Sequence, residues 1–245
     1  TFNYSFIENF NQNISSWDVS NVTDMKRLFH DARKFNQDIS NWDVSNVKNM
    51  HQLFFLAKEF NQDISNWDVS NVETMASILQ GASKFNFNIG NWDVSNVKDF
   101  RFAFADLENV NLELSNWDVS SGTTFEYMFY QSEFTGDISN WTFGDDVSFT
   151  RIFRRTTFDG NISGWTFGNN TSFDGMFNST YEFTGDISNW TFGNNNSLAH
   201  MFYNADLFTM DISTWDVSRV TSTYRMFAFN DNFNVDISSC NNERL

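Results

Sequence analysis

The stretch 41–47, NWDVSNV, returns letter for letter at 66–72 and at 91–97. One heptapeptide spelled three times at an interval of 25 residues marks a chain assembled from copies of one small unit. The tryptophans extend the rule. Trp17, Trp42, Trp67, Trp92, Trp117, Trp141, Trp165, Trp190 and Trp215 are separated by 25, 25, 25, 25, 24, 24, 25 and 25 residues, and they are all nine that the chain has. A second ladder, from Ile14, Ile39 and Ile64 through Leu114 to Ile237, runs three residues ahead of the tryptophans. A third, from Phe10, Phe35 and Phe60 through Val110 to Phe233, runs four ahead of that. Self-similarity of this kind points to an array in which each unit buries its apolar face only against its neighbours.

One unit, residues 35–59, reads FNQDISNWDVSNVKNMHQLFFLAKE. Val47, Met50, Leu53, Phe54 and Ala57 recur at spacings of three and four, which predicts a short helix. Ser45 or Asn46, with the equivalent Ser20, Ser70 and Ser95, stands where an N-cap belongs. The other half, DISNWDV, is β-branched and aromatic, and predicts one or two brief strands with Ile39, Trp42 and Val44 turned inward. Equivalent strands would stack in parallel, about 4.8 Å apart. The expected fold is a right-handed α/β solenoid of leucine-rich-repeat character, with short parallel strands and one short helix in each coil of 24 or 25 residues and about ten coils in all. Proline is absent, as suits a ladder that needs every backbone N–H. The chain reads as a single array over 1–245, with variant coils at about 141–197, where WTFGDD or WTFGNN replaces WDVSNV, and a degenerate terminal coil at about 233–245.

The repeat WDVSNVxxM followed by LF, A and FNQDIS, as in 17–40 and 42–65, resembles the repeat of the BspA-like leucine-rich-repeat surface proteins, and the likeness covers essentially all of the chain. That resemblance implies an extracellular or surface-displayed element used for adhesion. The WTFG repeats depart from the pattern locally while keeping its register.

Composition narrows the function. A formal charge of −16 and the lack of a Lys/Arg-rich run argue against nucleic acid as a partner. No apolar stretch approaches the roughly 18 to 20 residues of a membrane span, and an opening at Thr1 suggests a mature or excised segment. GxSxG, HExxH, P-loop and GxGxxG motifs are missing, and His30, His51 and His200 occupy different repeat positions, so no enzyme is expected. The lone Cys240 falls in the tryptophan register of the last coil. No cofactor is expected.

Acidic columns are the one metal candidate. Asp43, Asp68, Asp93 and Asp118 follow their tryptophans, and Asp38 and Asp63 precede their isoleucines. The simplest role for each is an Asx-turn; calcium bridging between coils is the alternative. The asparagines of the FNQ segments are expected to form a side-chain ladder. Phe55, Leu56 and Phe102 stand where several other units are polar, and so form a candidate apolar patch for a partner. Asn169, Asn170, Asn178 and Asn195 open N-x-S/T sequons and are candidate glycosylation sites. The expected function is a non-enzymatic, extracellular, cell-surface or virion-surface structural or adhesive protein, binding a protein or glycan through its variable positions. End-to-end self-association, as a filament or a virion-associated subunit, is the alternative, because both ends read as coils able to accept another.

Overall fold

The computed structural model describes residues 7–108, 112–180 and 182–234. Equivalent residues of successive repeats lie side by side. Asp24, Asn49, Thr74, Asp99, Thr124, Ser148, Ser172 and Ser197 form one column of parallel bridges, each to the next. The strands named among the described residues are β1 (Asn196–Ser197) and β2 (Val220–Ser222), which pair in parallel with Asn196 opposite Val220.

Between these bridges the backbone is a succession of four-residue turns. In the second repeat, N–H groups close turns from Trp42 to Ile39 (3.1 Å), Val47 to Val44 (2.9 Å), Leu53 to Met50 (3.1 Å), Ala57 to Phe54 (3.0 Å) and Phe60 to Ala57 (3.0 Å). Each of these turns begins and ends on an apolar side chain, and all nine of the residues named are buried. The spacing of three that predicts a helix is therefore the spacing of turn ends.

The segment from Val47 to Ala57 departs from a helix for a definite reason. Gln52 and Leu56 both have φ of 56°, a left-handed conformation that a right-handed helix does not contain. A positive φ at the third position is what a type II turn requires. The same two corners recur in later repeats, at Phe102 and Asp106, at Tyr127 and Gln131, and at Arg151 and Arg155. In the WTFG repeats a further corner appears at Asp146, Asn170 and Asn195, two residues after the glycine that replaces the usual serine. The serines expected as helix N-caps serve instead as donors: Ser45 and Ser70 each give both N–H and hydroxyl to the aspartate two residues earlier.

The corners use up the backbone. N–H groups of Met50, Gln52, Phe54 and Leu56 donate to carbonyls of Thr74, Ala76, Ile78 and Gln80 in the next repeat, at 2.8 to 3.0 Å. Those of Leu53, Phe55 and Ala57 close turns within their own repeat, and that of His51 goes to the side chain of Asn49. Every amide from residue 50 to residue 57 thus has a partner, as a buried backbone needs.

One apolar cluster runs from Ile14 to Met226. Its rings stack from repeat to repeat: Phe35 on Phe60 and Phe60 on Phe85, both with centroids 6.0 Å apart, and Trp141 on Trp165 at 6.2 Å. The tryptophans from Trp42 to Trp215 are at most 4 % exposed. Trp17 is the exception at 55 %, so the register that buries the other eight indoles does not bury the first. Each buried indole donates to an isoleucine or leucine carbonyl of the preceding repeat, as Trp67 does to Ile39 at 3.2 Å and Trp141 to Leu114 at 3.0 Å.

Candidate partner-binding surface

Since turn ends point inward, the central residues of the turns face out, and these differ in chemistry from repeat to repeat. Along the flank with the two left-handed corners they carry rings and cations. His30 stacks on Phe55 with centroids 4.7 Å apart, and Phe102 on Tyr127 at 4.6 Å. Tyr127 meets Tyr130 edge to face at 5.6 Å. The guanidinium of Arg151 lies over Tyr127 and hydrogen-bonds its hydroxyl, and that of Arg154 lies over Tyr130, 5.7 Å from its centroid. Further along, His200 Nδ1 approaches Asp174 at 3.2 Å, Tyr224 stands edge-on to His200, and Tyr203 meets Phe229 at 5.0 Å.

Of the residues expected in an apolar patch, Phe55, Leu56 and Phe102 all lie on this flank and all are half-buried. Phe55 and Leu56 sit together on one corner; Phe102 is two repeats away and joins Tyr127 instead. The patch is thus a row of ring edges, interrupted by Gln80, whose amide donates to Asp106 at 3.0 Å. The sequence reading missed Tyr127, Tyr130, Arg151, Arg154 and Arg155. Their signal was RIFRR at 151–155, three cations in five residues of an acidic chain.

The opposite edges are acidic. Asp38, Asp43, Asp63, Asp68, Asp93 and Asp118 are exposed, and each accepts the backbone N–H of the serine two residues on, at 3.0 to 3.1 Å. Hydrogen bonds from the serine hydroxyl and N–H hold the carboxyls of Asp38, Asp43 and Asp63 below the usual value. Among the described residues no group of three or more His, Cys, Asp or Glu side chains converges to hold a metal ion.

The sequon asparagines are engaged in ladders. Asn169 takes Asp145 as acceptor and receives the N–H and amide of Asn194. Asn170 donates to Asp146 at 2.8 Å and accepts from Asn195 at 3.1 Å. The carbonyl of the Asn178 side chain accepts from Arg154 Nε and from Ser179. The FNQ asparagines form a ladder too: Asn36 donates its N–H to the Asn11 side chain, and Asn61 to that of Asn36, both at 2.9 Å. Cys240 lies outside the described residues, and no helix among them is long and apolar enough to cross a membrane.

Comparison with curated proteins and with solved structures finds no match. A family model described as "Mycoplasma protein of unknown function, DUF285" matches residues 2–86, 57–157 and 147–241, three overlapping copies that together span nearly the whole sequence. The chain is thus a repeat protein and belongs to that family.

Proposed function

We propose that this protein is a non-enzymatic, surface-displayed adhesive or scaffold element, a solenoid of the BspA-like leucine-rich-repeat kind, that binds a protein or glycan through the outward corners of its turns. One observation carries the reading. Inward positions repeat the same few apolar residues, while outward corners change chemistry from Gln52 to Phe102, Tyr127 and Arg151 without disturbing the backbone. Such a surface can be varied for recognition at little cost to the core.

The test is attachment: polystyrene beads coated with the protein, against beads coated with albumin, offered to cultured animal cells. Retention of the first and not the second is expected. Equal retention would sink the adhesive reading.

A second reading, end-to-end association of copies, is favoured by the bonds and ring stacks that join repeat to repeat, such as Gln52 to Ala76 and Phe35 on Phe60, which coils of two molecules could form in the same way. Sedimentation over a range of concentrations separates the two, because only the second predicts growth of the particle with concentration.

A further inference from the structure

We propose that the corner carrying Arg154 and Arg155 is the binding site for an acidic sugar, a terminal glycan residue bearing a carboxylate or a sulfate. This rests on the adhesive reading and names the chemistry of its ligand.

Arg154 and Arg155 occupy the two central positions of one turn, closed by the N–H of Thr156 to the carbonyl of Phe153 at 3.3 Å. The left-handed φ of 57° at Arg155 turns that residue outward, and its side chain is exposed. Arg154 is held from two sides. Its guanidinium lies over the Tyr130 ring, and its Nε donates to the Asn178 side chain at 3.2 Å. With Nε engaged, the fork left to Arg154 for a carboxylate or sulfate is the one its two terminal nitrogens form. The nearby carboxylates are already engaged: Glu126 accepts from the Ser148 hydroxyl at 2.9 Å, and Asp174 faces His200.

The ligand's size follows from charge. With a formal charge of −16 on the whole chain, a long polyanion meets net repulsion from the protein beyond this corner. A single acidic group fits it. A peptide added as a strand does not, because the amides of residues 151 to 156 are all spent: those of Arg151, Phe153 and Arg155 donate to Asp174, Met176 and Asn178, and those of Ile152, Arg154 and Thr156 close turns. The Tyr130 hydroxyl and the Asn178 amide add neutral hydrogen-bonding groups of the kind that sugar hydroxyls use.

Titration of the purified protein with 3′-sialyllactose, a sulfated heparin tetrasaccharide and neutral lactose, followed by calorimetry, tests the proposal. One or both acidic sugars are expected to bind and lactose not, and which of the two binds distinguishes carboxylate from sulfate. Replacing both Arg154→Ala and Arg155→Ala should weaken binding about tenfold or more. Arg27→Ala, on the same flank but in another repeat, should leave it unchanged. Circular dichroism melts of the double variant check that it folds. If neither acidic sugar binds, or the double variant binds as well as the parent, the proposal is overturned. Coated beads that still attach to cells in that case, and lose attachment after protease treatment of the cells, would leave the adhesive reading standing with a protein as its partner.

Discussion

The indole Nε1 of Trp92 donates to the carbonyl of Ile64, 3.0 Å away and 28 residues earlier. One side chain thus fills the core of its own repeat and ties it to the one before. Trp92→Ala removes both and should destabilise by about 3 to 5 kcal/mol. Trp17→Ala, at the exposed member of the ladder, should lose less than about 1 kcal/mol. Urea melts of the two variants read the difference; equal losses would contradict the burial pattern.

Gly81 has φ of +68°, and an added Cβ would stand 2.7 Å from Cδ2 of Leu56. Gly81→Ala therefore meets both a left-handed backbone and a neighbouring side chain. A loss of about 1 to 2 kcal/mol is expected, most of it from the backbone, since the leucine can shift. The variant Gly90→Ala meets the Glu113 carbonyl at 2.0 Å and should cost more, because backbone cannot yield as a side chain does.

Acid should weaken the fold in two steps. Burial lowers the affinity of His30 and His51 for a proton below the ordinary imidazole value of 6.5. A depressed folded pKa means that the unfolded chain takes up protons first, so stability falls as pH drops below about 6.5. The second step comes from Asp38, Asp43, Asp63, Asp118, Asp137 and Asp186, whose serine hydrogen bonds depress the carboxyls in the same sense. Their contribution is complete above the unfolded value of about 3.9 and is lost as pH falls below it. Thermal melts from pH 8 to pH 3 should show both declines, and His30→Gln with His51→Gln should remove the first.

Asn36 accepts the Asn61 N–H and the Gln62 side-chain amide on one oxygen, at 2.9 and 2.7 Å. Asn36→Ala leaves that N–H without its partner and should cost about 0.5 to 1.5 kcal/mol. Hydrogen exchange gives the sharper readout: the Asn61 amide should exchange faster while the Leu53 amide, closed onto Met50, keeps its rate.

The ladders of Trp, Ile and Phe are legible in the sequence because nothing but a core needs the same large side chains at a fixed interval. The Asx-turns at Asp43 and Asp68 are legible for a similar reason: an Asp two residues before a Ser is a local signal. Local course is another matter. Val47, Met50, Leu53, Phe54 and Ala57 fit a helix and a train of turns equally well, since both place residues three apart on one side. What separates them is the left-handed φ at Gln52 and Leu56, and neither residue type advertises it. Gly81 and Gly175, at the equivalent corners of other repeats, carry the trace that a comparison between repeats could have used. The Arg154 and Arg155 corner escaped for want of length: three cations in one repeat are not a run, and their partners Tyr130 and Asn178 lie about a repeat away on either side.

The inter-repeat hydrogen bonds bear on mechanics. Bonds such as Gln52 to Ala76 and Leu56 to Gln80 join one repeat to the next, so tension applied along the stack loads the interfaces in series. Neighbouring repeats are about 6 Å apart, as Phe35 and Phe60 are, whereas a repeat of 25 residues pulled straight reaches about 80 to 90 Å. Peeling one unit from the end would lengthen the molecule more than tenfold over that unit while the rest stays folded. A tether built this way yields under load by stages and holds on.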